Sequence, residues 1–199
     1  MKVAAVKLVE FICTPPMRWD KKWGKTDPLL KGRRNSKNAT ARGEMKKLSE
    51  LVAADLIHLD WPGGAWDDCL NRVEAHLLQA GVIKKDCGLA ANLRQPEKVQ
   101  ATCIGNGVAL PHAYLPGIPQ PLLLVGRTRT PLELPAPDSQ PVDLLFLLIG
   151  PPTVQAMHLP TVARLVRLLK DFQWLEALRG AKTPEAVLSS VRSVELRHG

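Results

Sequence analysis

His112 is the side chain in this 199-residue chain whose surroundings best suit it for chemistry. It closes the run T-C-I-G-N-G-V-A-L-P-H that begins at Thr102. Gly105-Asn106-Gly107 reads as a tight turn, because Gly and Asn tolerate the positive φ that other residues avoid. Val108, Ala109 and Leu110 then read as a short apolar strand. Pro111 has no N–H to give to a ladder, so pairing is expected to stop at the residue before His112 or to lie on a sheet edge there. An imidazole at a strand end leaves the core on a rigid backbone and faces solvent or a partner. Its ordinary pKa of about 6.5 suits a partly exposed structural residue and a nucleophile equally well. The residue types alone leave both readings open.

Other chemistries lack their parts. There is no G-x-S-x-G elbow for a serine nucleophile and no P-loop lysine, and the Gly pair precedes a strand where dinucleotide binding needs it between a strand and a helix. What remains is histidine nucleophilicity. A neutral imidazole nitrogen attacks a phosphoryl group in line to give a labile phosphoramidate, with the protein supplying position and charge stabilisation. Cys13, Cys69, Cys87 and Cys103 show no C-x-x-C spacing, which argues against a zinc site or a disulfide framework and fits a reducing compartment. No cofactor or metal is expected. Asp67 and Asp68 fall where a helix begins and read as dipole partners. His58 and His76 read as surface residues. Arg127 and Arg129 alternate on one strand face; they could meet a phosphoryl group, although arginines of an edge strand more simply point to solvent.

The charge is divided unevenly. Residues 1–47 carry 13 Lys or Arg against 4 Asp or Glu, whereas the remainder carries 14 against 15. A near-neutral folded part has no electrostatic footprint for nucleic acid, so no nucleic-acid partner is expected. Residues 1–47, rich in Lys, Arg, Gly and Pro, have the composition of a disordered basic extension. The longest apolar run, Val142 to Ile149, is too short to insert in a bilayer, and no secretory signal is expected, which makes the protein cytoplasmic.

The elements that must position His112 follow from periodicity. A strand is expected over 57–60 and a turn at Pro62-Gly63-Gly64. A helix follows from Trp66 to Ala80 closed by Gly81, and another spans about 86–93. Strands are expected at 122–130, at 132–134 and at 142–149, the last apolar on both faces and therefore central. A helix starting near His158 carries Leu159, Val162, Leu165, Val166 and Leu169 inward. Two more helices follow at 171–178 and 183–191, the second capped by Thr183 with Pro184 at its first position. This alternation predicts an α/β layered sandwich with a mixed four- to five-stranded sheet flanked by helices, occupying residues 48–199.

I-G-N-G-V-A-L-P-H-A, residues 104–113, resembles the phosphorylation-site signature of the fructose, mannitol and nitrogen-regulatory IIA proteins of the bacterial phosphoenolpyruvate-dependent phosphotransferase system. The likeness runs roughly from Leu51 to Val191. It takes in D-x-Q-P-V-D-L-L-F-L-L from Asp138, M-H-L-P-T-V-A-R-L-V from Met157 and a closing helix pair. The resemblance implies the IIA fold and a phosphoryl carrier. In that family the acceptor, here His112, is phosphorylated on Nε2 by the phosphocarrier protein HPr or its nitrogen-branch equivalent, and the group passes to a IIB component or marks a regulatory target. His158, forty-six positions after His112, has the spacing of the family's second active-centre histidine. The family's Arg sixteen positions before the acceptor is here Pro96, with Arg94 two residues earlier. The I-G-N-G form and the lack of fused domains lean toward the nitrogen-regulatory branch. Met45-Lys46-Lys47-Leu48-Ser49-Glu50-Leu51 resembles the start of such proteins, an alternative under which residues 1–44 are not part of the natural chain. A second functional reading is a regulatory binding module that keeps the fold without transferring phosphate.

Overall fold

In the computed structural model the described residues are 46–198 apart from Asp86, with the side chains of residues 154–158 also left aside. All belong to the unit Gly43–Gly199. The expected basic extension, except for Lys46 and Lys47, lies outside the described residues. In chain order the elements are α1 (Leu48–Leu51), β1 (Ile57–Trp61), β2 (Gly64–Ala65), α2 (Trp66–Gln79), α3 (Leu89–Leu93), α4 (Pro96–Thr102), β3 (Cys103–Gly105), β4 (Val108–Ala109), β5 (His112–Tyr114), β6 (Leu122–Glu133), β7 (Val142–Gly150), α5 (Gln155–Leu168), α6 (Phe172–Gly180) and α7 (Pro184–His198). No helix among the described residues is long and apolar enough to cross a membrane.

The sheet runs β1-β6-β7-β4-β3, with β2 added against β6 and β5 against β7. Pairing is antiparallel for β6–β7 and β3–β4 and parallel elsewhere, so the sheet is mixed as expected. It has seven strands where four or five were expected, and both additions are short. Pro111 divides one line of chain into β4 and β5. The segment expected as a plain turn after Trp61 instead runs Gly64–Ala65 alongside Leu132 and Glu133. Gly63 makes that approach possible, since a Cβ there would fall 1.7 Å from the Thr130 carbonyl oxygen.

β7 is central because its sequence is apolar at consecutive positions. Leu144 to Ile149 are each at most 1% exposed, and full burial of one such side chain stabilises by about 1.5–3 kcal/mol. On one face Leu144, Phe146 and Leu148 join Val108 and Leu110 beneath Leu165 and Leu168 of α5, Trp174 and Leu178 of α6, and Val187, Val191 and Val194 of α7. The two-residue alternation turns Leu145, Leu147 and Ile149 the other way, toward the layer in which α2 buries Leu70, Val73 and Leu77 and α3 buries Leu89 and Leu93.

Caps set the helix ends. The Asp171 carboxylate accepts from the Trp174 N–H at 3.0 Å, and the Thr183 hydroxyl accepts from the Ala186 N–H at 3.2 Å with Pro184 leading α7. Gly81 follows α2 with a φ of +68°. Buried Glu195 of α7 accepts from the backbone N–H groups of Leu48 at 2.5 Å and Ser49 at 3.2 Å and faces Arg164 at 3.4 Å, which ties the first turn of the unit to its last helix. Three expectations need correction. The helix expected over 86–93 begins only at Leu89. Pro96 opens an unexpected helix, α4, because a proline's missing N–H costs nothing at the first position. α5 begins at Gln155 and not near His158, so Pro160 sits inside the helix, where a missing donor costs about 3 kcal/mol that the packing of Leu165, Leu168 and Leu169 must offset.

Candidate functional site

His112 opens β5. The expectation that pairing would end just before it is corrected in detail: the ladder lapses after Ala109 and resumes at His112, which is in register with Leu148, followed by Ala113 with Ile149 and Tyr114 with Gly150. Pro111 cannot donate, but its carbonyl accepts from the Leu148 N–H at 3.0 Å, so the break costs the sheet only one donor. β5 pairs only with β7, which makes it an edge strand as the proline foretold. Within β5 Ala113 is fully buried while His112 and Tyr114 are half-exposed, so the two ring side chains share one face. That face carries Val108, Leu110 and Leu148 and is roofed by α5, α6 and α7 up to the point where His112 emerges.

The imidazole is oriented locally. Its Nδ1 lies 3.3 Å from the Leu110 carbonyl oxygen. A carbonyl only accepts, so in this hydrogen bond Nδ1 carries the proton and the basic lone pair resides on Nε2. In that tautomer Nε2 is the nucleophilic atom.

The glycines of the I-G-N-G run serve a different end of the same line. Asn106 (φ 56°) and Gly107 (φ 74°) lie five or six residues before His112, roughly 16–20 Å along an extended chain. The Asp138 carboxylate accepts from the Asn106 N–H at 2.7 Å and from the Gln140 N–H at 3.2 Å, which lowers its pKa. Arg179 of α6 forks onto both Asp143 oxygens at 2.9 Å and donates to the Asn106 carbonyl at 2.7 Å. A Cβ on Gly107 would meet the Arg179 guanidinium at 2.6 Å, the Pro141 carbonyl at 2.8 Å and Asp143 at 2.9 Å. The turn is therefore a clamp that holds β4 in register on β7. Sequence reasoning finds the turn but misses the clamp, because Arg179 lies more than seventy residues away with nothing local to link it.

Of the other candidates, His158 lies in the early turns of α5, the helix that covers the His112 face, but its side chain is outside the described residues. Arg127 is not an edge-strand arginine pointing to solvent. β6 lies inside the sheet, and the guanidinium donates to the carbonyls of Leu59 at 2.9 Å, Arg179 at 2.5 Å and Ala181 at 2.8 Å, capping the C-terminus of α6. Arg129 donates to the Asp60 carbonyl at 3.1 Å. Arg94 is pinned to Asp67 at 2.8 Å and Asn71 at 2.6 Å on α2.

His58 and His76 are not independent surface residues. Their rings meet edge to face at 4.1 Å, His58 stacks on Trp61 at 4.5 Å, and His76 Nε2 donates to the Asp55 carbonyl at 3.1 Å. Burial, then the nearby His76, push the His58 pKa down to about 4 against a smaller opposing effect of Asp55. Cys69 and Cys103 are free thiols, and burial pushes Cys69 up to about 11, which makes it a poor nucleophile. Among the described residues no cluster of three or more His, Cys, Asp or Glu could hold a metal ion.

A mixed sheet covered by helices on both faces, with an oriented imidazole on its edge strand, defines an α/β layered protein. Residues 50–194 match the model of the family described as phosphoenolpyruvate-dependent sugar phosphotransferase system, EIIA 2, and the chain belongs to that family. It is 40% identical to the nitrogen regulatory protein of Bradyrhizobium diazoefficiens over 97 residues, which are 49% of this chain and 63% of that one. To the nitrogen regulatory protein of Pseudomonas aeruginosa it is 30% identical over 152 residues, 76% of this chain and 98% of the other. The chain thus spans less than two thirds of the first relative and nearly all of the second. The crystal structure of the nitrogen regulatory protein IIA-Ntr from Neisseria meningitidis matches with a TM-score of 0.62 at 27% identity, covering 72% of this chain and 98% of that one. The expected family and α/β fold are both borne out.

Proposed function

We propose that the protein is a histidine phosphoryl carrier in which Nε2 of His112 takes a phosphoryl group from phosphorylated HPr or its nitrogen-branch counterpart. It then passes the group to a IIB component or holds it as a regulatory mark. The observation that carries this reading is the hydrogen bond from Nδ1 to the Leu110 carbonyl, which leaves the nucleophilic lone pair on Nε2 of a half-exposed edge residue. In the transfer the Nε2 lone pair forms the new P–N bond as the donor's P–N bond breaks, and the donor nitrogen keeps that bond's electron pair. The family match supports the cytoplasmic setting and the nitrogen-regulatory leaning, as do the two bacterial relatives.

His158 is the second member of the site in this reading, an electrostatic partner of the phosphoryl oxygens whose replacement by Ala slows transfer about 10²-fold or more without unfolding the protein. The test is incubation with phosphoenolpyruvate, enzyme I and HPr followed by intact mass. One acid-labile phosphoryl group is expected, absent from His112→Ala; a label that persists in that variant overturns the assignment. Residues 1–47 are read, from their composition, as a basic extension preceding the carrier unit. Deleting residues 1–44 should leave acceptance unchanged.

One observation favours the second reading, a binding module that regulates by contact alone. Pro96 opens α4 where the resemblance implies an Arg, and Arg94 is held on α2 by Asp67 and Asn71. Absence of any label in the same experiment selects that reading.

A further inference from the structure

We propose that the Tyr114 hydroxyl donates a hydrogen bond to the phosphoryl group carried on His112, so that a neutral donor shares the site. The inference rests on the carrier reading above and adds a residue to it. β5 presents His112 and Tyr114 on one face with buried Ala113 between them on the other, and two residues of strand span about 6.6 Å. Residues two apart on a strand stand on the same face. The backbone beneath both rings is fixed: His112 and Tyr114 pair with Leu148 and Gly150, and the next amide, Leu115, donates to the Gly150 carbonyl at 2.9 Å. Tyr114 cannot slide relative to His112 without breaking that register.

The chemistry suits the position. A phosphoryl group brings negative charge onto a half-exposed edge, and a donor that carries no charge of its own binds those oxygens without disturbing the neutral form in which the imidazole must return. Burial raises the Tyr114 pKa above its ordinary value, so the phenol keeps its proton through the neutral range and acts only as a donor toward phosphate. The strand thereby places nucleophile and donor two positions apart on one rigid segment.

The test uses the full chain phosphorylated by HPr. His112→Ala is the control for the underlying reading: label on that variant removes the carrier assignment and this inference with it. With label confirmed on His112, Tyr114→Phe is expected to hydrolyse about tenfold faster than the parent and to move the 31P resonance of the phosphohistidine, while the thermal melt stays in place. Tyr114→Gln, which restores a donor without the ring, is expected to bring the resonance back toward the parent position. A phosphohistidine in Tyr114→Phe with the parent lifetime and resonance overturns the role of Tyr114 and leaves His112 as the acceptor. The role of Tyr114 fails equally if Tyr114→Phe and Tyr114→Gln are shifted to the same extent, because a donor that makes no difference is not bonded to the phosphate.

Discussion

Replacing Arg127 by Met should unfold the protein about 10 °C sooner while leaving phosphoryl acceptance by the folded fraction intact. The side chain is 17% exposed, and its three shortest bonds go to the carbonyls of Leu59, Arg179 and Ala181. The last two lie in the last turn of α6 and on the residue that caps it, where no further helical N–H follows. A hydrogen bond from a charged group to a neutral one contributes about 1.5–3 kcal/mol when both are sheltered. Three would suggest more than about 5 kcal/mol, but water can enter at the partly open edge and satisfy some of the freed carbonyls, so about 3–4 kcal/mol is the reasoned loss. For a domain of this size each kcal/mol moves Tm by about 2–4 °C. Urea unfolding followed by tryptophan fluorescence measures the change, with the slope against urea unaltered. Arg127→Lys should recover less than half, since the three N–H groups of an ammonium sit on one nitrogen and cannot span acceptors that Arg127 reaches from two separate nitrogens. Arg127 lies opposite Leu144 and His112 opposite Leu148, about 13 Å apart along β7. A variant within about 1 kcal/mol of the parent, or one that stays folded yet no longer accepts phosphate, refutes the capping role.

Gly107→Ala should cost about 2–4 kcal/mol, combining a left-handed backbone with contacts under 3 Å to Arg179, Pro141 and Asp143; a urea midpoint unchanged from the parent would show that the clamp yields freely. The His58 pair predicts acid sensitivity. Its folded pKa of about 4 lies below the unfolded 6.5, so the unfolded chain binds the extra proton and stability present above pH 6.5 is lost as pH falls toward 4. The full linkage of about 3.4 kcal/mol is reduced by solvent to about 1–2 kcal/mol for a half-buried ring. His58→Phe should flatten urea midpoints between pH 7 and 4.5, and an undiminished fall in that variant would place the acid sensitivity elsewhere.

The parts of the molecule legible in the sequence are those set by local rules. β7 announces itself by apolar residues on both faces, α7 by Thr183 and Pro184, and the edge position of His112 by Pro111. Residues whose partners lie far along the chain are the ones that sequence pattern misplaces. Arg127 resembles a solvent-facing cation because the carbonyls it caps belong to a helix some fifty residues later. His58 and His76 resemble surface residues because a strand and a helix must meet before their rings can stack. Pro96 resembles a break because the same residue that stops a helix also starts one. Glu195 gives no sign that it caps the first turn of the unit.

Pro111 and the order of the strands also determine how this molecule comes apart. β6 and β7 are consecutive and antiparallel, with Leu132 and Val142 only ten positions apart, so their hairpin closes a short loop at little entropic expense. β5 reaches β7 only across a separation of 36 positions, from His112 to Leu148, with three residues and one paired side. It has little to lose by letting go. Amide exchange in β5 should therefore run through brief local openings that leave β6 and β7 closed. The segment that bears His112 thus exchanges through openings after which it closes in the same register, while the hairpin beside it keeps the domain folded.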